Sequence, residues 1–191
     1  MAHTLTIAPD EEPLTLAEAK DHLRVDITDD DFNIELYLTA ARETLEEWAH
    51  RAFVTQTCRL FLDRFPKGYE ILLPRPPLQS VTHIKYYDTD NIPTTWAAAN
   101  YFVDTDSDPG RVILAYNVSW PTTTLRPASG VEIEYVAGYG GPQTVPRTWK
   151  QAILLTLGHW YENRESTVGG TIIREVPMAV KSLVMLRRNF I

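Results

Sequence analysis

The strongest helical pattern in this chain lies near its C-terminal end, between residues 146 and 164. Large apolar side chains recur there at spacings of four, four and three residues, which places them on one face of an α-helix. Pro146 suits the first helical position, because the N–H group that proline lacks would have no helical partner there. Burying such a face contributes roughly 1.5–3 kcal/mol per large side chain, so the helix requires an apolar partner. The face consists of Trp149, Ile153, Leu157 and Trp160.

A second amphipathic segment, closer to the N-terminus, offers that partner. The carboxylates of residues 29–31 favour the positive end of a helix, and the pattern predicts that the helix continues to about Arg51. Its apolar residues alternate spacings of four and three, which is typical of helices that pack on helices. We therefore expect the two faces to form one core. The apolar residues are Ile34, Leu38, Ala41, Leu45, Trp48 and Ala52, and we expect the charged residues Arg42, Glu43, Glu46, Glu47 and Arg51 on the other side.

Shorter helices are predicted near both ends of the chain. Thr15 and Glu18 form a capping box, in which each side chain accepts a hydrogen bond from the other residue's backbone. Near the C-terminus, residues 165–170 read as a loop and residues 171–176 as a short extended segment. Pro177 then begins a last helix, with two arginines near its negative end. The apolar residues of these helices are Leu16, Ala19 and Leu23 in the first, and Val180, Leu183, Val184 and Leu186 in the last.

Between the helical segments, residues 54–137 read as strand and turn. Apolar and polar residues alternate in several short runs that are separated by proline, glycine and aspartate. Residues 74–77 include three prolines, which exclude both a helix and a central strand. The predicted strands are 55–62, 69–73, 81–87, 101–104, 111–116 and 131–136, and the region of Trp96 is ambiguous.

This order of elements predicts an α+β fold. Because the N- and C-terminal helices need each other's apolar faces, we expect them to form a helical bundle. The antiparallel β-sheet would then be a domain inserted into that bundle. The predicted boundaries are residues 1–53 and 142–191 for the bundle and residues 54–141 for the inserted domain.

Composition and charge restrict the function classes. The chain has 191 residues and a formal charge of −7, which argues against a general nucleic-acid-binding surface. The same charge is compatible with a conduit through which DNA slides. Cys58 is the single cysteine, so an internal disulfide and a multi-cysteine zinc site are both excluded. The N-terminus lacks the pattern of a signal peptide, and no apolar run approaches the roughly 20 residues of a membrane helix. We therefore expect a soluble protein made in the cytosol.

An aspartate-rich loop, residues 104–110, is the most ligand-like motif. Alternating aspartates hold Ca²⁺ when glycine occupies the sixth loop position and glutamate the twelfth. Those positions are Pro109 and Ala115, so both requirements fail, and aspartates that cap a tight turn are the better interpretation. A metal cluster at residues 29–31 is weaker still, because helix capping explains these carboxylates.

Other candidate sites also have simpler interpretations. The glycines at 138, 140 and 141 precede a helix, but no phosphate-loop lysine follows, so a loop with positive φ explains them. His159 and Glu162 are one helical turn apart and could hydrogen-bond, yet a polar helix end beside aromatic residues accounts for both. Cys58 is expected as a small buried group. No nucleophile–base pair is present, so we predict no enzyme and no cofactor.

Three stretches in the same order resemble the bacteriophage head–tail connector family, which comprises adaptor or head-completion proteins. They are EPLTLAEAKDHLRVD at 12–26, LPRPPLQSV at 73–81, and QAILL with GHWYENRE at 151–155 and 158–165. The latter two are similar to the branch of the family with an inserted β domain. The resemblance spans nearly the whole chain.

The resemblance implies a structural protein of the virion neck that is made in the host bacterial cytoplasm. Family members form a ring, matching the twelve-fold portal, that extends the DNA channel and meets the stopper or tail. DNA would pass without specific binding, and we expect the acidic surplus to face the lumen. C-terminal segments dock on the portal in this family. The corresponding residues are Thr171, Ile172, Ile173, Arg174, Glu175, Val176, Arg187, Arg188, Phe190 and Ile191.

A binding module is the alternative interpretation of the β segment. Trp96, Trp120 and Tyr139 could line a carbohydrate or small-ligand site of a phage tail or host-surface protein. Exposure of these rings would favour that alternative. Burial of the rings in a contact between protomers would favour the connector.

Overall fold

The computed structural model describes residues 2–163 and 178–185. Over these residues the fold is α+β, with four α-helices and with strands that pair antiparallel throughout. The helices are α1 (Leu16–Leu23), α2 (Asp31–Ala49), α3 (Arg147–Glu162) and α4 (Met178–Met185). The strands are β1 (Ala2–Ile7), β2 (Gln56–Leu62), β3 (Glu70–Leu72), β4 (Leu78–Tyr87), β5 (Pro93–Trp96), β6 (Tyr101–Asp104), β7 (Arg111–Leu114) and β8 (Val131–Ala137).

The described chain divides into two compact units. The β unit contains residues 2–9 and 55–139, and the helical unit contains residues 10–54, 140–163 and 178–185. At the N-terminus the structure differs from the expectation. Residues 2–7, expected as part of the helical domain, form β1, which pairs with β2 in the β unit. So short a strand takes its stability from the hydrogen bonds of its neighbour, and its own sequence therefore gives little indication of it.

In the helical unit, α2 packs against α3, and α1 and α4 each contact both of these helices. The predicted stripe residues Ile34, Leu38, Leu45, Trp149, Ile153 and Leu157 are buried, whereas Trp48 and Trp160 are half-buried. Phe53 stacks on Trp149 with 4.7 Å between the ring centroids. The capping box at Thr15 and Glu18 is present, with both reciprocal hydrogen bonds.

The β unit contains two antiparallel sheets. The larger has the strand order β1-β2-β8-β4-β5, and the smaller has the order β3-β7-β6. Strand β8 is central in the larger sheet, with β2 on one side and β4 on the other. Alternate residues of these strands fill the core, which includes Cys58, Leu60, Ile84, Ile133 and Tyr135. The burial of Cys58 confirms its interpretation as a small core residue.

Candidate functional site

The residues that the family resemblance assigns to portal binding lie outside the described part of the chain. They are Thr171, Ile172, Ile173, Arg174, Glu175, Val176, Arg187, Arg188, Phe190 and Ile191. The structure therefore bears on function through the surfaces of the two units and through the motifs that the sequence singled out.

The Asp104 loop is closed by its own hydrogen bonds. The Asp104 carboxylate accepts backbone N–H bonds from Asp106 and Ser107, each at 3.1 Å, and a hydroxyl bond from Ser107 at 2.6 Å. Arg111 donates from Nε to the same carboxylate at 2.9 Å. The bonds from Ser107 and Arg111 lower the pKa of Asp104 to about 2. These contacts are those of a capped turn, and over the described residues no group of three metal-ligating side chains is present.

The remaining sequence motifs also have local structural roles. Gly138 and Gly140 adopt φ values of 119° and 112°, which confirms a loop that needs positive φ. His159 lies at the end of α3, where its Nδ1 is 3.5 Å from the amide nitrogen of Asn163. The expectation that residues 29–31 cap a helix is wrong for the side chain of Asp30. The Asp30 side chain does not cap α2 and instead accepts a hydrogen bond of 2.6 Å from the Tyr161 hydroxyl.

The aromatic residues proposed for a binding module pack mainly on one another. Trp96 is buried and contacts the rings of Tyr101, Trp120 and Phe65, with centroid distances of 5.1–6.1 Å. Trp120 stacks on Phe65 at 5.2 Å and donates its indole N–H to the Gly68 carbonyl at 2.6 Å. These contacts make Trp96 and Trp120 part of one aromatic cluster, in which Trp96 is buried and Trp120 is half-buried. Tyr139 is half-buried.

Charged side chains, including the buried Glu132, share one face of the larger sheet. Glu134 accepts a hydrogen bond of 2.7 Å from Arg59, and its neighbour Glu132 accepts one of 2.9 Å from the Tyr87 hydroxyl. Glu132 Oε1 also lies 3.1 Å from His83 Nε2. Burial alone would raise the pKa of Glu132, but the hydrogen bonds and the charge of Arg59 outweigh burial and lower this pKa. The alternation of Glu132 and Glu134 along β8 indicates that both side chains lie on one face of the sheet. The residues that pair with these glutamates depend on which strands lie beside β8.

An ion network is buried in the helical unit. Arg42 donates from Nε to Glu12 Oε2 at 2.8 Å and from Nη1 to Glu46 Oε2 at 3.0 Å. Glu46 also accepts the backbone N–H of Phe53 at 2.6 Å. We expected Arg42 and Glu46 on the polar side of α2. They are instead buried, because the segment with Glu12 supplies a charged partner.

Two apolar features remain open on the helical unit. The first is a patch of exposed side chains at the start of α2, where Ile27 is 60%, Phe32 75% and Leu36 55% exposed. The second is a cavity of about 340 Å³ at the other end of α2. Its described lining residues are Trp48, Lys181, Val184 and Met185. We call these features the Phe32 patch and the Trp48 pocket.

No described helix has both the length and the apolar character that crossing a membrane requires.

The chain is similar to proteins in solved structures of a particle. The chain is 26% identical to a chain in the solved neck of an empty gene transfer agent particle computed with C6 symmetry, with a TM-score of 0.82. It is 26% identical to a chain of the virion of the native particle (TM-score 0.81) and 25% identical to one in the native neck computed with C12 symmetry (TM-score 0.79). Each match covers 100% of this chain and 96% of the other. No curated protein matches the chain.

The profile of the head completion protein matches residues 12–189. This span includes all three sequence stretches on which the family resemblance was based, so that recognition is confirmed. The chain belongs to the head completion protein family.

Proposed function

We propose that this protein is a structural component of a virion neck, where it joins the head to the tail. The observation that carries the proposal is the match over the full length of the chain to neck proteins of the gene transfer agent particle, at TM-scores of 0.79–0.82. The family profile supports the same role. The role is mechanical, because the chain would act through the surfaces that it presents to its neighbours.

In this proposal the protomers form a ring, twelve to a particle, through which DNA passes. The C6 and C12 symmetries of the similar necks support a ring. We propose that the helices form a bundle into which the β domain is inserted, since the helical unit contains chain from both sides of the β segment. The acidic surplus, −7 for each chain, would line the lumen and repel DNA phosphates.

Binding to the portal is assigned to residues 171–176 and to the residues near the C-terminus. Ile172 and Ile173 follow two glycines, and this apolar, β-prone pair suits addition of a strand to the edge of a partner's sheet. The opposite side of the ring would meet the stopper or tail-completion protein.

The test is to mix purified protein with portal-bearing, DNA-filled capsids that lack it, and to image the portal vertex by electron microscopy. We expect additional ring density below the portal. A variant with residues 171–176 replaced by glycine and serine should give no such density. A bare vertex with the unmodified protein would overturn the proposal.

A further inference from the structure

A ring of more than two like subunits imposes a condition on each subunit. Its interfaces are heterologous, so every protomer must carry two different surfaces that fit each other. In the proposed ring, on which this inference rests, each protomer must therefore present both halves of one contact.

The Phe32 patch has the properties of a projecting half. Phe32 is 75% exposed, and Leu36, one helical turn later on the same face of α2, is 55% exposed. Two exposed carboxylates accompany them, Asp29 just before the helix and Glu35 three residues after Phe32. Within residues 2–163 and 178–185, neither carboxylate forms an ion pair or a side-chain hydrogen bond. The patch therefore combines an open aromatic ring with negative charge that nothing in the described chain neutralises.

This combination distinguishes Phe32 from the other strongly exposed aromatic side chains of the described residues. Those side chains are Tyr69, Phe102 and Tyr116. Glu70 and Asp104, the carboxylates nearest in sequence to the first two, both bind Arg111. The third has no acidic residue within five positions on either side. A surface that receives Phe32 should accordingly offer an apolar cavity with an unpaired cation beside it.

A cavity of this kind opens in the β unit, between the turn after β2 and the loop before β8. Its volume is about 360 Å³, which accommodates the benzyl group of a phenylalanine. The described lining residues come from two segments of that unit, within residues 63–65 and 121–127. We call this cavity the Phe65 pocket. Its apolar lining residues are Phe65, Pro121, Leu125 and Pro127.

Contacts behind the lining hold the Phe65 pocket in shape. Phe65 stacks on Trp120 with 5.2 Å between the ring centroids. The guanidinium of Arg126 lies over the ring of Tyr87 at 3.9 Å and donates two hydrogen bonds, of 3.0 and 2.7 Å, to the Ser129 carbonyl. A preformed cavity of this type loses little side-chain entropy when a ring enters it.

Arg64 is the cation of the Phe65 pocket that has no partner of its own. It is exposed, and its guanidinium forms no hydrogen bond or ion pair with any described residue. The other two charged lining residues are engaged, because Arg126 binds Ser129 and Asp63 accepts the Ser129 backbone N–H at 3.0 Å. Arg64 therefore attracts an incoming carboxylate, and the three charged groups together give the pocket one positive charge.

We propose that Phe32 of each protomer inserts into the Phe65 pocket of the next protomer in the ring. Asp29 and Glu35 then face Arg64 at the rim. The contact joins the helical unit of one protomer to the β unit of its neighbour. Because the projecting ring and the pocket are different surfaces, the same contact repeats around a closed ring.

Two single-cysteine chains test this contact directly. One full-length chain carries Leu36→Cys, and the other carries Thr123→Cys at an exposed residue of the Phe65 pocket. Cys58 is buried and stays in place. A disulfide needs Cα atoms about 4.4–6.8 Å apart. A mixture of the two chains, assembled on portal-bearing, DNA-filled capsids and oxidised, should give a linked dimer that contains one of each.

Because the two cysteines belong to different chains, this link reports only a contact between protomers. The matched control replaces Thr123→Cys with Phe102→Cys, at a residue that is 65% exposed in the same unit and does not line the pocket. The control mixture should give no linked dimer. Adding Phe32→Ala to the Leu36→Cys chain should lower the yield of the 36–123 dimer at least tenfold, as expected for loss of an aromatic anchor.

A charge exchange provides a second measurement. Arg64→Glu in the Thr123→Cys chain, or Glu35→Arg in the Leu36→Cys chain, places like charges at the rim and should lower the dimer yield about fivefold. The two changes together restore opposite charges and should restore the yield. Loss of folding would not be rescued by a second substitution.

Ring density on the capsids without the 36–123 dimer would overturn this contact while leaving the proposed function intact. A dimer that forms equally well with Phe32→Ala, or a charge exchange without rescue, would also overturn it. A vertex that the natural chain leaves bare would overturn the proposed function and this contact together.

Discussion

At the scale of single residues, Arg42 is a buried charge that depends on its carboxylate partners. Its side chain is buried between Glu12 and Glu46, with three hydrogen bonds to their carboxylates. Burial alone would lower the pKa of Arg42, but the hydrogen bond to Glu12 and the charges of Glu46 and Glu12 outweigh burial and raise this pKa. The guanidinium therefore stays charged, and the two carboxylates depend on it.

We expect Arg42→Met to lower the free energy of unfolding by about 3–5 kcal/mol, because the substitution leaves the buried Glu46 and the half-buried Glu12 without their charged partner. Urea unfolding followed by circular dichroism measures the change. The matched control is Glu43→Gln, which removes an exposed partner of the same arginine and should cost less than about 1 kcal/mol. Equal effects of the two substitutions would contradict the role of the buried network.

Asp104 should make the stability of the protein depend on pH in the acid range. Its pKa in the folded chain is about 2, below the ordinary value of 3.8. As the pH falls, this carboxylate is therefore protonated in the unfolded chain before it is protonated in the folded chain. The stabilisation from this carboxylate is therefore present above about pH 4 and is lost as the pH falls towards 2. In urea unfolding between pH 5 and pH 2.5, Asp104→Asn should show a shallower loss of stability than the natural chain. An equally steep loss of stability in Asp104→Asn would contradict this contribution.

At the scale of secondary-structure elements, two glycines show how packing decides the effect of one added methyl group. A Cβ at Gly158 in α3 would lie 3.6 Å from His22 Nε2, which is ordinary contact. A Cβ at Gly110 would lie 2.3 Å from the Leu78 Cβ, a distance that the neighbouring strand must relieve by moving.

We therefore expect opposite signs for the two alanine substitutions. Gly158→Ala should stabilise the protein by about 0.5–1 kcal/mol, because alanine loses less backbone entropy in a helix than glycine does. Gly110→Ala should destabilise it by about 1–3 kcal/mol through overpacking. Thermal unfolding compares the two, and a stabilising Gly110→Ala would show that the approach to Leu78 is not tight.

At the scale of the whole molecule, the net charge of −7 sets the expected behaviour towards DNA. A chain with this charge gains little from release of counterions, so it should not shift a short DNA duplex in gel electrophoresis even at about 50 mM salt. A basic DNA-binding protein serves as the positive control. A shift of the DNA that weakens as the salt concentration rises would reveal a basic surface on the protein and would contradict an acidic lumen.

Several features of the fold could be predicted because their signals are local. The capping box at Thr15 and Glu18 lies within one helical turn, and the positive φ of Gly138 and Gly140 follows from glycine itself. The strand β1 could not be predicted in this way, because it depends on hydrogen bonds to β2, whose paired residues lie 50 to 59 positions further along the chain. The Trp48 pocket also has no local signal, since α2 and α4 build it together.

The sequence alone determined the helical segments, most strands and the family, because apolar periodicity, caps and motifs are properties of neighbouring residues. Only the tertiary structure decided that β8 lies between β2 and β4, and that Arg42 and Glu46 are buried while Phe32 is exposed. The physical reason is that burial depends on what another segment places over a residue. A helical pattern shows which side chains share a face. It does not show whether a residue from another segment, such as Glu12, packs against that face.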